Sequence, residues 1–343
     1  MNSTIVLWTT LIGSQLLQWI LWALFLWLGL VWAKSPAITA RRLVDATLTY
    51  HLANLFCLLA IMFAWQYLQA LLLPLALAYL SSLFLLPILL VCKFFHISFL
   101  RTLQALVPTL LVPVIIFSLW LGVVRTFVWE SYSVTSNAMA PTLRGDHWRG
   151  TCPTCGDPRF CSPDSPDFPA GNQKRPMICE QFHLTPRDSD GTEDDTVHAS
   201  DRIMVAKYRS PQRWDMVAFR FPASPENIYV MRIVGMPGET IVIKDGAVWA
   251  NDERLTPPDA LQNIVYLDKD EESNFFDFHG TAGNPAELAD DEFFVLGDFS
   301  ASSNDSRYWT DGAPGHAPFA VPRSHILGVV SHIYWPLERW RAF

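Results

Sequence analysis

Four long apolar stretches in the N-terminal part decide most of what this chain can become. Residues 5–33 carry no charged side chain, and a helix of about 20 apolar residues is enough to cross a bilayer. Residues 50–68 and 71–92 form a second apolar block of about twice the spanning length. Gln66, Gln69 and Pro74 break it, which predicts a helical hairpin, with a single span plus a re-entrant piece as the alternative. Residues 103–129 make a fourth span, whose Pro108 and Pro113 are tolerable because neighbouring membrane helices absorb kinks. The first stretch is not a typical secretory leader, since no Lys or Arg precedes it. His51, Asn54, Gln66 and Gln69 are the polar residues in or beside these spans. They read as partners in bonds between helices or as interfacial groups rather than as a site.

The basic residues orient the spans. Lys34, Arg41 and Arg42 fall between spans one and two, and Lys93 and Arg101 between spans three and four. Basic loops stay on the cytoplasmic side, so the fourth span should deliver residues 130–343 to the exoplasmic side. Arg125, at the outer end of that span, is the one contrary residue. A chain that is 50% hydrophobic, only 17% charged and holds 14 Trp is unlike a wholly soluble protein. Its net charge of −8, with no basic stripe, argues against a nucleic-acid partner.

Beyond residue 130 the pattern changes to short apolar runs bounded by turn signals, at 203–206, 216–221, 229–234, 293–296 and 326–335. Residues 240–244 and 247–251 flank Asp245-Gly246, a hairpin signature. Strands this frequent predict an all-β domain of sandwich or barrel type. Residues 133–143, SVTSNAMAPTL, read as an extended edge segment that ends in a turn at Arg144-Gly145-Asp146. Such a segment could pair with another extended chain by strand addition.

Residues 148–198 are different again. Cys152 and Cys155 lie in a Cys-Pro-Thr-Cys-Gly turn, followed by Cys161, Cys179 and His183. Two thiolates from one tight turn are the first half of a zinc-ribbon ligand set. The second half is degenerate, so the predicted ligands are Cys152, Cys155 and Cys179 with either His183 or Cys161. Two disulfides, or a redox-active pair, are the competing readings in an oxidising compartment. Some staple is needed, because the Pro-, Asp- and Gly-rich composition offers little core.

Four blocks in order, SVTSNAMAPTL at 133–143, DRIMVAK at 201–207, YVMRIVGMPGE at 229–239 and GDFSASSNDSR at 297–307, resemble the bacterial type I signal peptidases, Ser–Lys proteases anchored in the membrane. The resemblance spans roughly 130–147 and 199–338, and 148–198 interrupts it. In that family the Ser before Met-x-Pro-Thr-Leu is the nucleophile and the Lys before Arg in the third block is the base. Here those positions are Ala138 and Met231, the latter beside Arg232. The resemblance further implies that Ser136 can help bind an oxyanion, that Met139 and Pro141 contact substrate, and that Ser303 orients the missing Lys. It also implies a structural pair between Asp305 and Arg307, with Ser300 replacing a usual Arg. Lys207 reads as a solvated strand end, and His325 and His332 as structural residues rather than substitute bases.

The expected architecture is therefore a transmembrane helical domain over 1–129, a signal-peptidase-like β domain over 130–147 and 199–343, and a Cys-rich, zinc-ribbon-like insert over 148–198. What the resemblance implies is a multi-pass protein of the bacterial inner membrane whose β domain lies on the exoplasmic side. The family chemistry needs no cofactor, which leaves a structural zinc as the only metal expected. The bilayer and the signal peptides of exported proteins are the expected partners. Peptide hydrolysis of this kind needs a hydroxyl and a neutral amine, and neither dyad position supplies one. The first expectation is thus a non-cleaving protein that binds extended peptides. An active peptidase with a rearranged site, and a membrane scaffold recruiting a partner through its insert, are the alternatives.

Overall fold

The computed structural model describes residues 3–67, 71–163, 176–186, 194–268 and 278–343. They fall into two compact units, Met1–Val124 and Arg125–Phe343.

The first unit is helical. Helices α1 (Ser3–Trp32), α2 (Ala40–Tyr67), α3 (Leu72–Phe95) and α4 (Phe99–Val128) are each long and apolar enough to cross a membrane. The second begins well before its apolar stretch because Thr39 stops the chain at Ala40. The Thr39 Oγ1 accepts from the Arg42 amide at 3.3 Å, and Arg41 and Arg42 occupy the first turn. In α4, Val107–Leu110 tightens into a 3₁₀ turn around Pro108, which has no amide hydrogen to continue the ladder. Trp120–Val128 then widens into a π-helical turn. Trp22, Leu26, Leu30, Val91, Phe95 and Ala105 fill the interior of the bundle. Asn54 takes part in an interhelical bond, its Oδ1 accepting from the Ser82 hydroxyl at 2.7 Å. Gln69 lies outside the described residues.

The second unit is built from strands. In chain order they are β1 (Trp129–Ser133), β2 (His147–Thr151), β3 (Pro158–Cys161), β4 (Pro176–Cys179), β5 (Leu184–Pro186) and β6 (Asp194–His198). Then come β7 (Arg202–Ala206), β8 (Met216–Phe221), β9 (Ser224–Gly235), β10 (Thr240–Lys244), β11 (Ala247–Ala250) and β12 (Glu253–Arg254). The last are β13 (Ala286–Glu287), β14 (Glu292–Leu296), β15 (Val321–Pro322), β16 (Ile326–Trp335) and β17 (Arg341–Ala342).

The main sheet runs β1-β7-β16-β8-β9-β14-β15, with β17 beside β16. Its pairings are antiparallel. Val205, Val217, Phe219, Ile233, Val295 and Val329 pack into its core. A second sheet, β12-β11-β10-β13, contains the expected hairpin. Asp245 and Gly246 both take positive φ there, the requirement of the tight turn that matches strand twist. The third sheet, β5-β4-β3-β2-β6, is the Cys-rich insert, a separate small meander of strands three to five residues long.

One expectation about the backbone fails. Residues 134–143 are not an extended edge: β1 ends at Ser133, and 138–142 form a turn in which the Leu143 amide donates to the Met139 carbonyl at 2.9 Å. The cause is Asn137. Its Oδ1 accepts from the Gly145 amide at 3.0 Å, and its Nδ2 donates to the Asp146 carbonyl at 2.8 Å. These bonds fold the segment back on itself, as asparagine commonly does in turns. Ser136 and Ala138 therefore do not share the face of a strand.

Candidate functional site

The turn carrying Ala138 and the strand carrying Met231 meet in a groove of about 890 Å³. Two stretches of backbone line it, 133–136 and 228–231. The first continues from β1, which has a strand partner on one side only, β7. The second belongs to β9, whose pairing with β14 covers only residues 232–235. Among the described residues, 228–231 have no ladder partner on that side, and they line the groove together with Met139 and Phe299.

Ala138 is half-buried and Met231 is 3% exposed. The Ala138 carbonyl accepts from the Phe299 amide at 2.9 Å, which fixes the turn against the fourth sequence block. Gly297 makes that approach possible. A Cβ there would lie 2.6 Å from the Ala138 carbonyl oxygen and 2.1 Å from Ser303 Oγ, so neither could stay in place. The Ser303 hydroxyl is buried and has no hydrogen-bond partner among the described residues. Ser136 is exposed on the groove, and Met139 lines it, whereas Pro141, expected to contact a bound peptide, is buried and does not.

Beneath the groove the charged framework is complete. Arg232 donates from Nε to Asp298 Oδ1 at 2.7 Å and from Nη2 to Asp298 Oδ2 at 2.6 Å. Burial alone would lower the Arg232 pKa, but Asp298 more than reverses this and raises it. The Thr142 hydroxyl adds a bond to Asp298 Oδ2 at 2.5 Å. Asp305 and Arg307 form a second buried pair, Nε to Oδ1 and Nη2 to Oδ2 both at 2.8 Å. Ser300, in place of a larger basic residue, accepts from Arg307 Nη1 at 2.8 Å. Sequence reasoning missed Asp298, Thr142 and Asn137; the Gly-Asp opening of the fourth block was the available signal for the first.

What the groove lacks is a base. Among the described residues no Lys, Arg or His lines it. Hydroxyls are present at Ser133, Thr135, Ser136, Ser162 and Ser302, and the one carboxylate, Asp146, accepts from the Ser200 amide at 3.0 Å. Lys207 is committed to Glu130 at 2.7 Å rather than ending its strand in solvent. His325 Nδ1 lies 3.1 Å from the Arg220 carbonyl, and buried His332 Nδ1 lies 3.0 Å from Ser331 Oγ. None of the three lines the groove.

The insert brings together Cys152, Cys155, Cys179 and His183, whose ligand atoms all lie within 4.8 Å of one another. Cys155 Sγ and Cys179 Sγ are 3.7 Å apart, and Cys152 Sγ and His183 Nδ1 3.9 Å. A tetrahedral zinc with bonds near 2.3 Å places two sulfurs about 3.8 Å apart, against about 2.05 Å in a disulfide. The donor set and its spacing fit zinc. Burial raises the Cys152 thiol, but amide groups of Cys155 and Thr154 aimed at its sulfur outweigh that and hold it at about 6, so the ligating thiolate is accessible near neutrality. Cys161, the alternative ligand, is buried outside the cluster and lines the groove instead. Ser162, Pro163 and Pro176 line it as well, so the insert forms part of the groove wall, a contribution that no local signal in the sequence announced.

Residues 177–335 match the family of signal peptidases classed as peptidase S26. The chain is similar to signal peptidase I of Leptolyngbya laminosa, 27% identical over 155 residues, 42% of this chain and 64% of that protein. Signal peptidase I of Pseudomonas fluorescens is 24% identical over 186 residues, 49% of this chain and 64% of its own length. The Bacillus amyloliquefaciens signal peptidase I is 29% identical over 170 residues, covering 48% and 83%. The matches to the first two relatives thus span just under two thirds of their length. A solved signal peptidase I from Enterococcus faecalis aligns with 36% of this chain and 98% of its own, at 23% identity and a TM-score of 0.26.

Proposed function

We propose that this chain, a member of the type I signal peptidase family, binds the extended cleavage region of signal peptides without hydrolysing it. The observation that carries the reading is the groove itself. Residues 133–136, which leave the open side of β1, and 228–231 of β9, which β14 does not pair, line it, while the nucleophile and base positions hold only a methyl group, Ala138, and a thioether, Met231. An extended peptide laid between such edges gains main-chain bonds on both sides, and the half-buried Ala138 leaves room for a small side chain. Among the described residues that line the groove none is Lys, Arg or His, so Ser136 has no basic neighbour there to activate it. The basic residues between the spans support a cytoplasmic placement of those loops, which puts the β domain on the exoplasmic side of a bacterial inner membrane, where exported chains emerge. The insert holds a structural zinc ion through Cys152, Cys155, Cys179 and His183.

Photo-crosslinking tests this. A benzophenone side chain is placed at Thr135 or Ile228 in the full-length protein in lipid nanodiscs. The probe is a fluorescent peptide with an apolar segment followed by a small-residue cleavage site. Saturable crosslinking at both positions, with the peptide left intact, is expected. Absence of crosslinking at both positions would overturn peptide binding, and release of a cleaved fragment would overturn inactivity.

A further inference from the structure

Two of the cluster's four residues, Cys179 and His183, each follow a residue that packs against the turn bearing Ala138. Ile178 precedes Cys179, and Phe182 precedes His183; both pack with Ala140 and Phe299. Glu180 follows Cys179 and pairs with Arg144, whose guanidinium also sits over the Phe160 ring at 3.5 Å. Arg144 closes the same turn. Its side chain is 6% exposed, and the pair with Glu180 ties it to the Cys179 loop.

The hairpin of β3 and β4 extends this connection to the groove. Cys155 lies three residues before β3 and Cys179 ends β4, so the metal clamps one end of the hairpin. At its other end, Ser162 and Pro163 follow β3 and Pro176 begins β4, and all three line the groove. A strand of four residues is about 13 Å long, a short and stiff lever. From that far end Ser162 Oγ accepts from Asn137 Nδ2 at 3.1 Å. Asn137 directly precedes Ala138 and, through Gly145 and Asp146, is the residue that folds the turn.

The insert cannot hold this arrangement by its own packing. Its strands are three to five residues long, and among its described residues the buried apolar side chains are few, chiefly Phe160, Met177 and Ile178. A sheet of this size needs a staple, and metal binding then becomes folding energy for the insert.

We propose that the zinc site braces the groove, so that metal occupancy sets how well it binds an extended peptide. This rests on the reading of the groove as a peptide site. In the metal-free protein the insert loosens, Ser162 and Glu180 release Asn137 and Arg144, and the turn at 137–146 loses its fixed geometry. If the ordered wall is then present a tenth of the time, apparent peptide affinity falls about tenfold.

The test uses the full-length protein in nanodiscs, with bound zinc measured by elemental analysis. A chelator removes the metal and Zn²⁺ restores it. Amide exchange over 137–146 and binding of the fluorescent peptide are followed in both forms. Cys155→Ser removes an exposed ligand, and Cys161→Ala is the control outside the cluster. One zinc per chain is expected, retained in Cys161→Ala and lost or weakened in Cys155→Ser. Metal removal should speed exchange over 137–146 and weaken peptide binding about tenfold, with both reversed by Zn²⁺. Zinc-free protein as purified, or unchanged exchange over 137–146 after chelation, overturns the brace. If the zinc-loaded form shows no peptide binding while exchange responds to metal, the brace stands and the peptide-site reading fails. Metal-sensitive exchange with unchanged peptide affinity overturns the control of binding.

Discussion

Arg232 grips Asp298 through two parallel bonds, Nε to Oδ1 at 2.7 Å and Nη2 to Oδ2 at 2.6 Å. The residue beside it, Met231, brings no charge into the groove. The buried ion pair thus lies directly beside an uncharged side chain at the groove. On the proposed reading, this arrangement leaves a groove that can hold a peptide without the groups that would cut it.

Because both members of the pair are buried, with side chains 6% and 0% exposed, removing one leaves an uncompensated charge. Asp298→Asn is expected to cost about 3–5 kcal/mol. Met231→Leu, close in volume and character, should cost less than about 1.5 kcal/mol. Urea unfolding of the full-length protein in detergent, followed by tryptophan fluorescence, checks the contrast. Equal losses would mean that the ion pair is not holding the site together.

Ser303 makes a second, opposite prediction. Its hydroxyl is buried and unpartnered, so Ser303→Ala removes a polar group that is already paying its desolvation cost. It should be neutral or stabilise the fold by about 1 kcal/mol. Ser306 is equally buried, but its Oγ accepts from the Val295 amide at 3.0 Å, and Ser306→Ala should destabilise by about 1–3 kcal/mol. Thermal unfolding of the two variants gives the answer. A loss at Ser303 matching that at Ser306 would show that the Ser303 hydroxyl has a partner after all.

His147, which follows the turn, should make the fold acid-sensitive. Burial first, with Arg144 and Arg149 adding to it, holds its imidazole down at about 4 despite the Gly145 carbonyl. That carbonyl lies 2.8 Å from Nδ1, while Nε2 accepts from Arg149 Nε at 3.2 Å, an arrangement that suits the neutral ring. A histidine whose folded pKa is depressed binds its proton first in the unfolded state. Stability is therefore fully present above about pH 6.5 and falls as pH drops toward about 4, by at most about 1.4 kcal/mol per pH unit. His147→Phe should flatten that slope in urea unfolding measured across the range. An unchanged slope would place the acid sensitivity elsewhere.

How far the sequence went depends on how local each cause was. The four spans were legible because a bilayer demands length and apolarity in one continuous run. The Asp245-Gly246 hairpin was legible because its turn needs positive φ at two adjacent residues. The start of α2 at Ala40 was missed because a helix runs on past its apolar stretch until a cap such as Thr39 ends it. The turn at 138–142 was misread as extended because the bonds that fold it run from Asn137 to Gly145 and Asp146, and those do not show in an alternating pattern. The ligand choice between His183 and Cys161 was open for a related reason. Both spacings are acceptable in sequence, and only the register of β3 and β4 turns Cys161 to the groove and leaves His183 beside the three sulfurs. The wall made by Ser162, Pro163 and Pro176 is a fully tertiary feature with no sequence signal.

The proposed state of this chain is an intact groove without the chemistry to cleave a peptide. Its most direct test incubates the full-length protein with a preprotein carrying a small-residue cleavage site and follows the mature product by mass spectrometry. The natural chain is compared with the Ala138→Ser, Met231→Lys double variant and with Ser136→Ala. Losing a nucleophile and its base typically lowers turnover by about six orders of magnitude. The natural chain should therefore leave the preprotein uncut, and the double variant should produce the mature fragment. Cleavage by the natural chain that disappears in Ser136→Ala would contradict the account.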